Sequence, residues 1–189
     1  LSTDTAPDIF HYNYNPNDLS YFESGKLMDF SSFMDDEWKA RFEESDLETL
    51  TYNDQLLSIP FESAGAVLWY NKDAFAEVGY NEFPATWSEL LDACQKLKDA
   101  GYGGFSLYTG DDAWYSINLI TDLWIANDGA TAVNTATSFN TQGLIDALNT
   151  YKEFYQYSTS DVIGGNYSVA GANFSSKKTT MAIDGSWFT

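Results

Sequence analysis

Cysteine and histidine each occur once in this 189-residue chain, and lysine and arginine together only 9 times. Each scarcity removes a class of function. A single cysteine, Cys94, cannot close an internal disulfide. It falls on the apolar side of a predicted helix, where a thiol packs as a small, inert hydrophobe. A single histidine, His11, excludes a multi-histidine zinc centre and is expected to pack in or near a core. No apolar run reaches the roughly 18 residues of a membrane-spanning helix. Against the 9 basic residues stand 28 acidic ones, a formal charge of −19. Nucleic acid demands a basic surface, so no nucleic-acid partner is expected, and anionic lipid is equally disfavoured. The sequence has no nucleophile elbow, P-loop or zinc spacing. The stretch from Asn13 to Asp18, conceivable as a calcium loop, lacks the central glycine and terminal glutamate of an EF-hand loop. No metal and no cofactor are expected, and no internal repeat or low-complexity linker appears.

What the chain does have is apolar and aromatic residues, at 44% and 17%, enough to bury a sizeable core as one or two domains. Ile9–Tyr12 reads as a strand and Pro16–Ser24 as a helix stopped by Gly25. Residues 28–50 read as helical, anchored by Phe30, Phe33, Trp38, Phe42, Leu47 and Leu50. Leu56–Ile59 reads as a strand closed by Pro60. Ala66–Tyr70 is a continuous apolar run, the pattern of a strand covered on both faces. Thr86 and Glu89 form a capping box for a helix over Trp87–Ala100, with Trp87, Leu90, Leu91, Cys94 and Leu97 on one face. Phe105–Tyr108 is the next strand. A helix over Trp114–Asn127 is expected to turn Ile117, Ile120, Leu123 and Trp124 inward, and another carries Leu144, Leu148, Tyr151 and Tyr155. Thr180–Asp184 closes the sheet. Strands alternating with helices mean an α/β architecture.

Several segments resemble one family in order and spacing. They are Ala6-Pro7-Asp8-Ile9-Phe10, the hairpin-like Asp54-Gln55-Leu56-Leu57-Ser58-Ile59-Pro60, Leu68-Trp69-Tyr70-Asn71-Lys72-Asp73-Ala74-Phe75, Pro84-Ala85-Thr86-Trp87-Ser88-Glu89-Leu90, and Met181-Ala182-Ile183-Asp184-Gly185-Ser186-Trp187. Tyr167–Ala170 and Phe174–Met181 resemble the family's approach to that last strand, with Lys177 or a neighbour where the family has glycine. Asp54-Gln55 stands where Gly-Lys is usual. The family is that of the family 1 extracellular solute-binding proteins, the sugar-capturing subunits of ABC importers. The resemblance implies a two-lobed periplasmic-binding-protein-like fold (type II), present here as a fragment lacking the start of lobe 1 and the C-terminal part. Residues 1–62 would be the remainder of lobe 1, 63–66 a hinge crossover of small residues, and 67–189 most of lobe 2. It further implies an extracellular lipoprotein or periplasmic protein, monomeric when whole, that hands a carbohydrate ligand to a membrane permease. Exposed strand edges in the fragment could drive association.

Sugars are held by aromatic rings on their apolar faces and by polar groups that take paired hydrogen bonds. In open α/β sheets such groups gather beyond the carboxyl ends of strands. The resemblance assigns Tyr12 and Asn15 to the cleft, against the alternative of a loop of local turns. Glu62 is a cleft contact or a plain salt-bridging residue. Asp112 and Trp114, with Tyr115 as a substitute, resemble the acidic and aromatic pair of the second lobe. The alternative makes Trp114 the first core residue of a helix capped by Asp111 or Asp112. Trp187 matches the stacking tryptophan after the glycine. Trp69 and Trp87 are assigned to the core, and Asp184 to the turn before Trp187. The competing readings are a secreted carbohydrate-active hydrolase, which needs two suitably spaced carboxylates, and a non-catalytic surface adhesin. No catalytic residue is expected.

Overall fold

The computed structural model describes residues 5–13, 19–62, 64–111 and 113–188, which separate into two compact units, Leu1–Ser63 and Ala64–Thr189. In the smaller unit the elements are short: α1 (Leu19–Glu23), α2 (Asp36–Lys39), α3 (Glu44–Thr49) and a hairpin of β1 (Thr51–Tyr52) with β2 (Gln55–Leu56). The hairpin turns on Asn53 and Asp54, both at positive φ (50° and 62°), a conformation that Asn and Asp tolerate where glycine is more common. Its buried residues are Phe22, Met34, Leu56 and Leu57.

Three expectations fail in this unit. The helix over 28–50 is broken into α2 and α3, because polar side chains compete for the backbone. Asp29 accepts from the Ser31 N–H at 2.9 Å, and Asp35 caps α2 through the Trp38 N–H at 2.8 Å. Phe33 and Trp38 are consequently exposed. Ile9–Tyr12 is no strand, since no described strand offers it a ladder, and Ile9 is 91% exposed. The strand at 56–59 stops at Leu56, where pairing with β1 ends. The beginning of the helix over 16–24 lies outside the described residues.

In the larger unit, β3 (Ala66–Tyr70), β4 (Gly103–Phe105) and β5 (Thr179–Gly185) form one sheet in the order β3-β5-β4. β3 runs antiparallel to β5, with Ala66 opposite Gly185 and Tyr70 opposite Met181, whereas β4 runs parallel to it. Helices α4 (Lys72–Glu77), α5 (Trp87–Asp99), α6 (Trp114–Asp128), α7 (Ala130–Asn134), α8 (Gln142–Tyr155) and α9 (Tyr167–Ser175) surround the sheet. Their starts follow local chemistry: Asn71, Thr86, Thr141 and Asn166 each accept a backbone N–H one turn on, and the Thr86–Glu89 capping box is complete. Leu90, Ala93, Cys94 and Leu97 bury the inner face of α5. Burial pushes the Cys94 thiol up to about 12, so it stays protonated and unreactive.

β5 is buried along its whole length, and alternation sends its residues to two cores. Met181 and Ile183 join the main core with Phe75, Leu97, Phe105, Leu123 and Phe154. Ala182 joins a second cluster with Tyr108, Tyr115 and Ala170, against which Trp114, Phe174 and Phe188 pack.

Four further expectations need correction. β3 is not covered on both faces: Ala66, Val67 and Leu68 are exposed, because β3 is an edge of the three-stranded sheet among the described residues. Trp87 is 50% exposed, resting on Phe154 (5.4 Å between centroids) and lining an open groove of about 200 Å³ with Val67, Leu119 and Asp122. Trp69 is only half-buried, its ring meeting Phe188 at 6.2 Å. Ile117 and Leu148 face outward, while Tyr115 and Leu119 of α6 and Ala147 and Phe154 of α8 take the inward places. In addition, β4 ends at Phe105, although Ser106, Leu107 and Tyr108 continue buried.

Lys177 stands at the turn between α9 and β5 with φ +61°, its N–H donating to the Phe174 carbonyl at 2.9 Å. This is the left-handed position past a helix end that glycine usually fills, and a side chain there costs about 1–2 kcal/mol. Lys177→Gly is therefore expected to hold or raise the melting temperature, while Lys177→Val lowers it. The two variants should separate by about 2–4 °C per kcal/mol in a thermal melt.

Nearby, the Lys178 ammonium at 2.7 Å, with Thr159 and Asn173, holds the Asp161 carboxyl at about 2, below its ordinary 3.8. A depressed folded-state pKa stabilises the fold above the unfolded value and loses that contribution as pH falls through the folded one. Lys178→Met should lower the melting temperature near neutrality, where the contribution is fully present, and converge on the wild type as pH falls toward 2, which flattens the acid dependence between about pH 4 and pH 2. The effect should shrink in high salt, since the pair is exposed.

Candidate functional site

The carboxyl ends of β4 and β5 lie on the same side of the sheet, because the two strands are parallel. From those ends the chain delivers Trp187 two residues after β5 and Trp114 after the loop that follows Tyr108. The two rings lie 5.9 Å apart at 45°. Trp187 is 57% exposed and Trp114 partly so.

Trp187 folds back over its own strand end. A Cβ on Gly185 would come within 2.3–2.4 Å of three atoms of the six-membered ring of Trp187, so any side chain there must push the ring aside. The Phe188 N–H closes the turn onto the Gly185 carbonyl at 3.0 Å, and the Ser186 N–H donates to the Gly65 carbonyl at 3.1 Å. The loop before Trp114 is pinned to the loop before α9. The Thr109 N–H donates to Val162 (3.1 Å) and the Gly110 N–H to Gly165 (2.7 Å), while the Gly164 N–H donates to Thr109 Oγ1 (3.0 Å). Asp111 and Ala113 both hold φ +50°, a strained backbone kept by these bonds. α6 then begins at Trp114 with no side-chain cap.

Beneath the rings sits Asp184, fully buried and sharing the even-numbered face of β5 with Ala182. Its carboxylate accepts from the Tyr115 hydroxyl, from the Tyr167 hydroxyl at 3.1 Å and from the Gly185 N–H at 2.7 Å. Burial, and then the bond to Asp184, raise the Tyr115 phenol far above its ordinary value; the same two causes, in the same order, raise that of Tyr167. Both hydroxyls thus stay protonated as donors to the carboxylate. Tyr115 and Tyr167 meet edge-on at 5.5 Å, with Tyr108 5.1 Å from Tyr115.

The sequence-assigned residues fare unequally. Trp114 and Trp187 come together. Tyr115 is 0% exposed and offers no surface to a ligand, since α6 turns it under the strand to meet Asp184. Asp184 does more than support a turn. Asn15 and Asp112, like Ser63 of the expected hinge, lie outside the described residues. In the smaller unit Tyr12 is half-buried against Tyr21 at 5.1 Å, and Glu62 is exposed, 3.9 Å from His11. His11 is itself exposed and stacks on Phe61 at 5.6 Å, so it belongs to no core. Tyr167 was missed: it directly follows Asn166, the cap that starts α9, and its bond to Asp184, 17 residues on, has no local signal. Among the described residues no cluster of three or more His, Cys, Asp or Glu could hold a metal, and no helix is long and apolar enough to cross a membrane.

The sequence profile of the bacterial extracellular solute-binding proteins matches residues 1–189. The chain belongs to that family. Among solved structures, one from a study of xylan utilization by Caldanaerobius polysaccharolyticus superposes with a TM-score of 0.77 at 26% identity, over 89% of this chain and 44% of that one. A chitin oligosaccharide binding protein superposes with a TM-score of 0.76 at 21% identity, over 89% and 43%. The sn-glycerol-3-phosphate-binding periplasmic protein of Rhizobium meliloti is 44% identical over 48 residues, which are 24% of this chain and 11% of that relative. The chain spans 33% of the length of the Brucella binding proteins that it matches over 136 residues. The chain thus has the mixed α/β fold of a family of solute-binding proteins.

Gly185→Ala tests the packing under Trp187. The added methyl must displace the ring, so the variant should lose about 1–3 kcal/mol and shift tryptophan emission to longer wavelength. An unchanged melt and spectrum would mean the ring does not rest on Gly185.

Proposed function

We propose that this chain forms part of an extracellular solute-binding protein that captures a neutral sugar, an oligosaccharide, between the lobes of the whole protein and delivers it to an ABC importer permease. The observation that carries the reading is the exposed Trp187 ring braced on Gly185 beside Trp114. Two rigid rings at the carboxyl ends of parallel strands are suited to the apolar faces of pyranoses and cost little conformational entropy to order. Tyr167, a partly exposed residue, shares the Asp184 carboxylate beneath them. Xylan and chitin oligosaccharide in the descriptions of two fold neighbours favour a sugar. The glycerol phosphate relative matches only 48 residues. A phosphorylated ligand would seek arginine, lysine or a helix N-terminus, and the charge of −19 opposes it.

Tyr12, Asn15, Glu62 and Asp112 remain proposed contacts by family resemblance, with residues 63–66 as the proposed hinge. Closure is a population shift toward a state whose contacts only the ligand completes. We place the protein outside the membrane, as a lipid-anchored or periplasmic monomer. Hydrolysis is not its role: the carboxylate beneath the rings is sealed from solvent and already holds three donors.

A thermal-shift and tryptophan-fluorescence screen of the whole protein against neutral oligosaccharides tests this reading. At a hundredfold excess over Kd a binder gains about 2.7 kcal/mol, and Trp187→Ala should abolish the shift. Release of shorter sugars would make the protein a hydrolase. Silence across the panel, with a response to glycerol phosphate, would overturn the sugar assignment.

A further inference from the structure

β3 lacks the protections that an edge strand ordinarily carries. Its sequence, Ala66-Val67-Leu68-Trp69-Tyr70, has no charge and no proline, and its register with β5 is unbroken by any bulge. That register continues at both ends: the Asn71 N–H donates to the Thr180 carbonyl at 2.8 Å, and the Ser186 N–H to that of Gly65 at 3.1 Å. Odd-numbered residues therefore bond to β5. Ala66, Leu68 and Tyr70 turn their N–H and C=O groups outward, where no described strand meets them. The far edge of the sheet is treated differently. There the Gly104 N–H of β4 donates to the Tyr157 carbonyl, so a loop covers it.

The side chains along β3 are as open as its backbone. Val67 is 47% and Leu68 38% exposed, and Leu68 shares a face with Ile183, its partner on β5. Beyond Leu68 the main core runs out into the groove of about 200 Å³, walled by Leu119 and Leu123 of α6 and by Trp87 of α5. Asp122 stands in the same wall with no partner for its carboxyl among the described residues, and burial raises that group above its ordinary range. A strand beside β3 would lie about 4.8 Å away and send alternate side chains into this groove.

We propose that β3 is an interior strand of the whole protein: a further strand of the same polypeptide, from outside residues 1–189, pairs with Ala66, Leu68 and Tyr70. It lays apolar side chains against Trp87 and Leu119 and brings one donor side chain to Asp122. Two observations identify this occupant. The chain spans 44% of the length of the Caldanaerobius structure and 33% of that of the Brucella relatives, so the greater part of such a protein is available to supply the strand. Phe188 already packs on Trp69 of β3 at 6.2 Å, so the polypeptide leaving β5 runs along this edge. A second copy is disfavoured by the charge of −19 that each partner would bring. The added strand accounts for the continuous apolar run of β3, the pattern of a strand with cover on both faces. It also anchors the strand into which the proposed hinge at 63–66 leads, and it holds whether or not the solute is a sugar.

Amide hydrogen exchange on the whole protein, read residue by residue by NMR, tests the pairing. At an open edge the rates alternate: Val67 and Trp69, bonded to β5, exchange slowly, and Ala66, Leu68 and Tyr70 fast. With the strand in place all five should be slow, the even-numbered three within about tenfold of the other two. Alternating rates overturn the proposal. Protection that disappears on dilution, with a dimer in sedimentation, assigns the edge to a second copy and overturns the occupant. Acrylamide quenching reads the groove independently. In the whole protein Trp87→Phe should remove none of the quenchable tryptophan emission, since the ring is covered; a loss of quenchable emission shows an open groove and overturns the proposal. Asp122→Leu should lower the melting temperature by leaving the incoming donor unpaired, and a rise would overturn that contact.

Discussion

The burial of β5 on both faces is the constraint on which the larger unit depends. A central strand with no solvent face must satisfy two environments through alternate side chains. Met181 and Ile183 meet the interior under α5, α6 and α8, while Ala182 and Asp184 meet the tyrosines of the second cluster. A slip of one residue would drive Asp184 into the aliphatic core and strand Met181 among phenols. Register is therefore strongly specified, and with it the point where the strand ends. Gly185 comes to lie opposite Ala66, and Trp187 emerges at the edge where β3 enters the sheet.

A buried carboxylate costs several kcal/mol of desolvation unless its lone pairs are filled. Asp184 fills them with neutral donors, two phenols and one backbone N–H, and no ion pair to it occurs among the described residues. The choice has a structural consequence. A lysine or arginine partner would add a long, flexible side chain, whereas tyrosine brings a stiff ring whose plane is set by its hydroxyl. Tyr108, Tyr115 and Tyr167 meet edge to face or tilted, and that packing continues outward through Trp114 to Trp187. The carboxylate orders a set of rings from beneath, and the exposed members of that set inherit the order.

How legible all this was in the sequence depended on whether the signal was local. The capping box at Thr86 and Glu89, the apolar face of α5 from Leu90 to Leu97 and the run into β5 depend on neighbours within a turn or a strand, and each stands where the pattern put it, Trp87 apart. Lys177 in the left-handed region was legible as the place of an expected glycine. Residues 28–50 were misread because aromatic spacing resembled a helix face, while Asp29 and Asp35 carried the stronger, shorter-range instruction to turn. Trp187 and Trp114 were assigned to the cleft by resemblance, and the structure brings their rings together beyond the strand ends. Tyr115 and Tyr167 were exchanged in role: both sit at helix starts, and only the three-dimensional position of Asp184 decides that the first is covered and the second half-exposed. Nothing in a linear pattern reports which of two phenols lies under a strand.

The acidity of the chain and the neutrality of its candidate ligand are connected by the same logic. With 28 acidic and 9 basic residues, the protein surrounds any approaching solute with negative potential, which slows anions and is indifferent to sugars at long range. At short range the two rings offer apolar area, which suits the faces of a sugar. Such a site has little need of arginine or lysine, because neutralising a charge is not among its tasks. A chain poor in basic residues is therefore no handicap to this kind of binding, so long as the rings are held still.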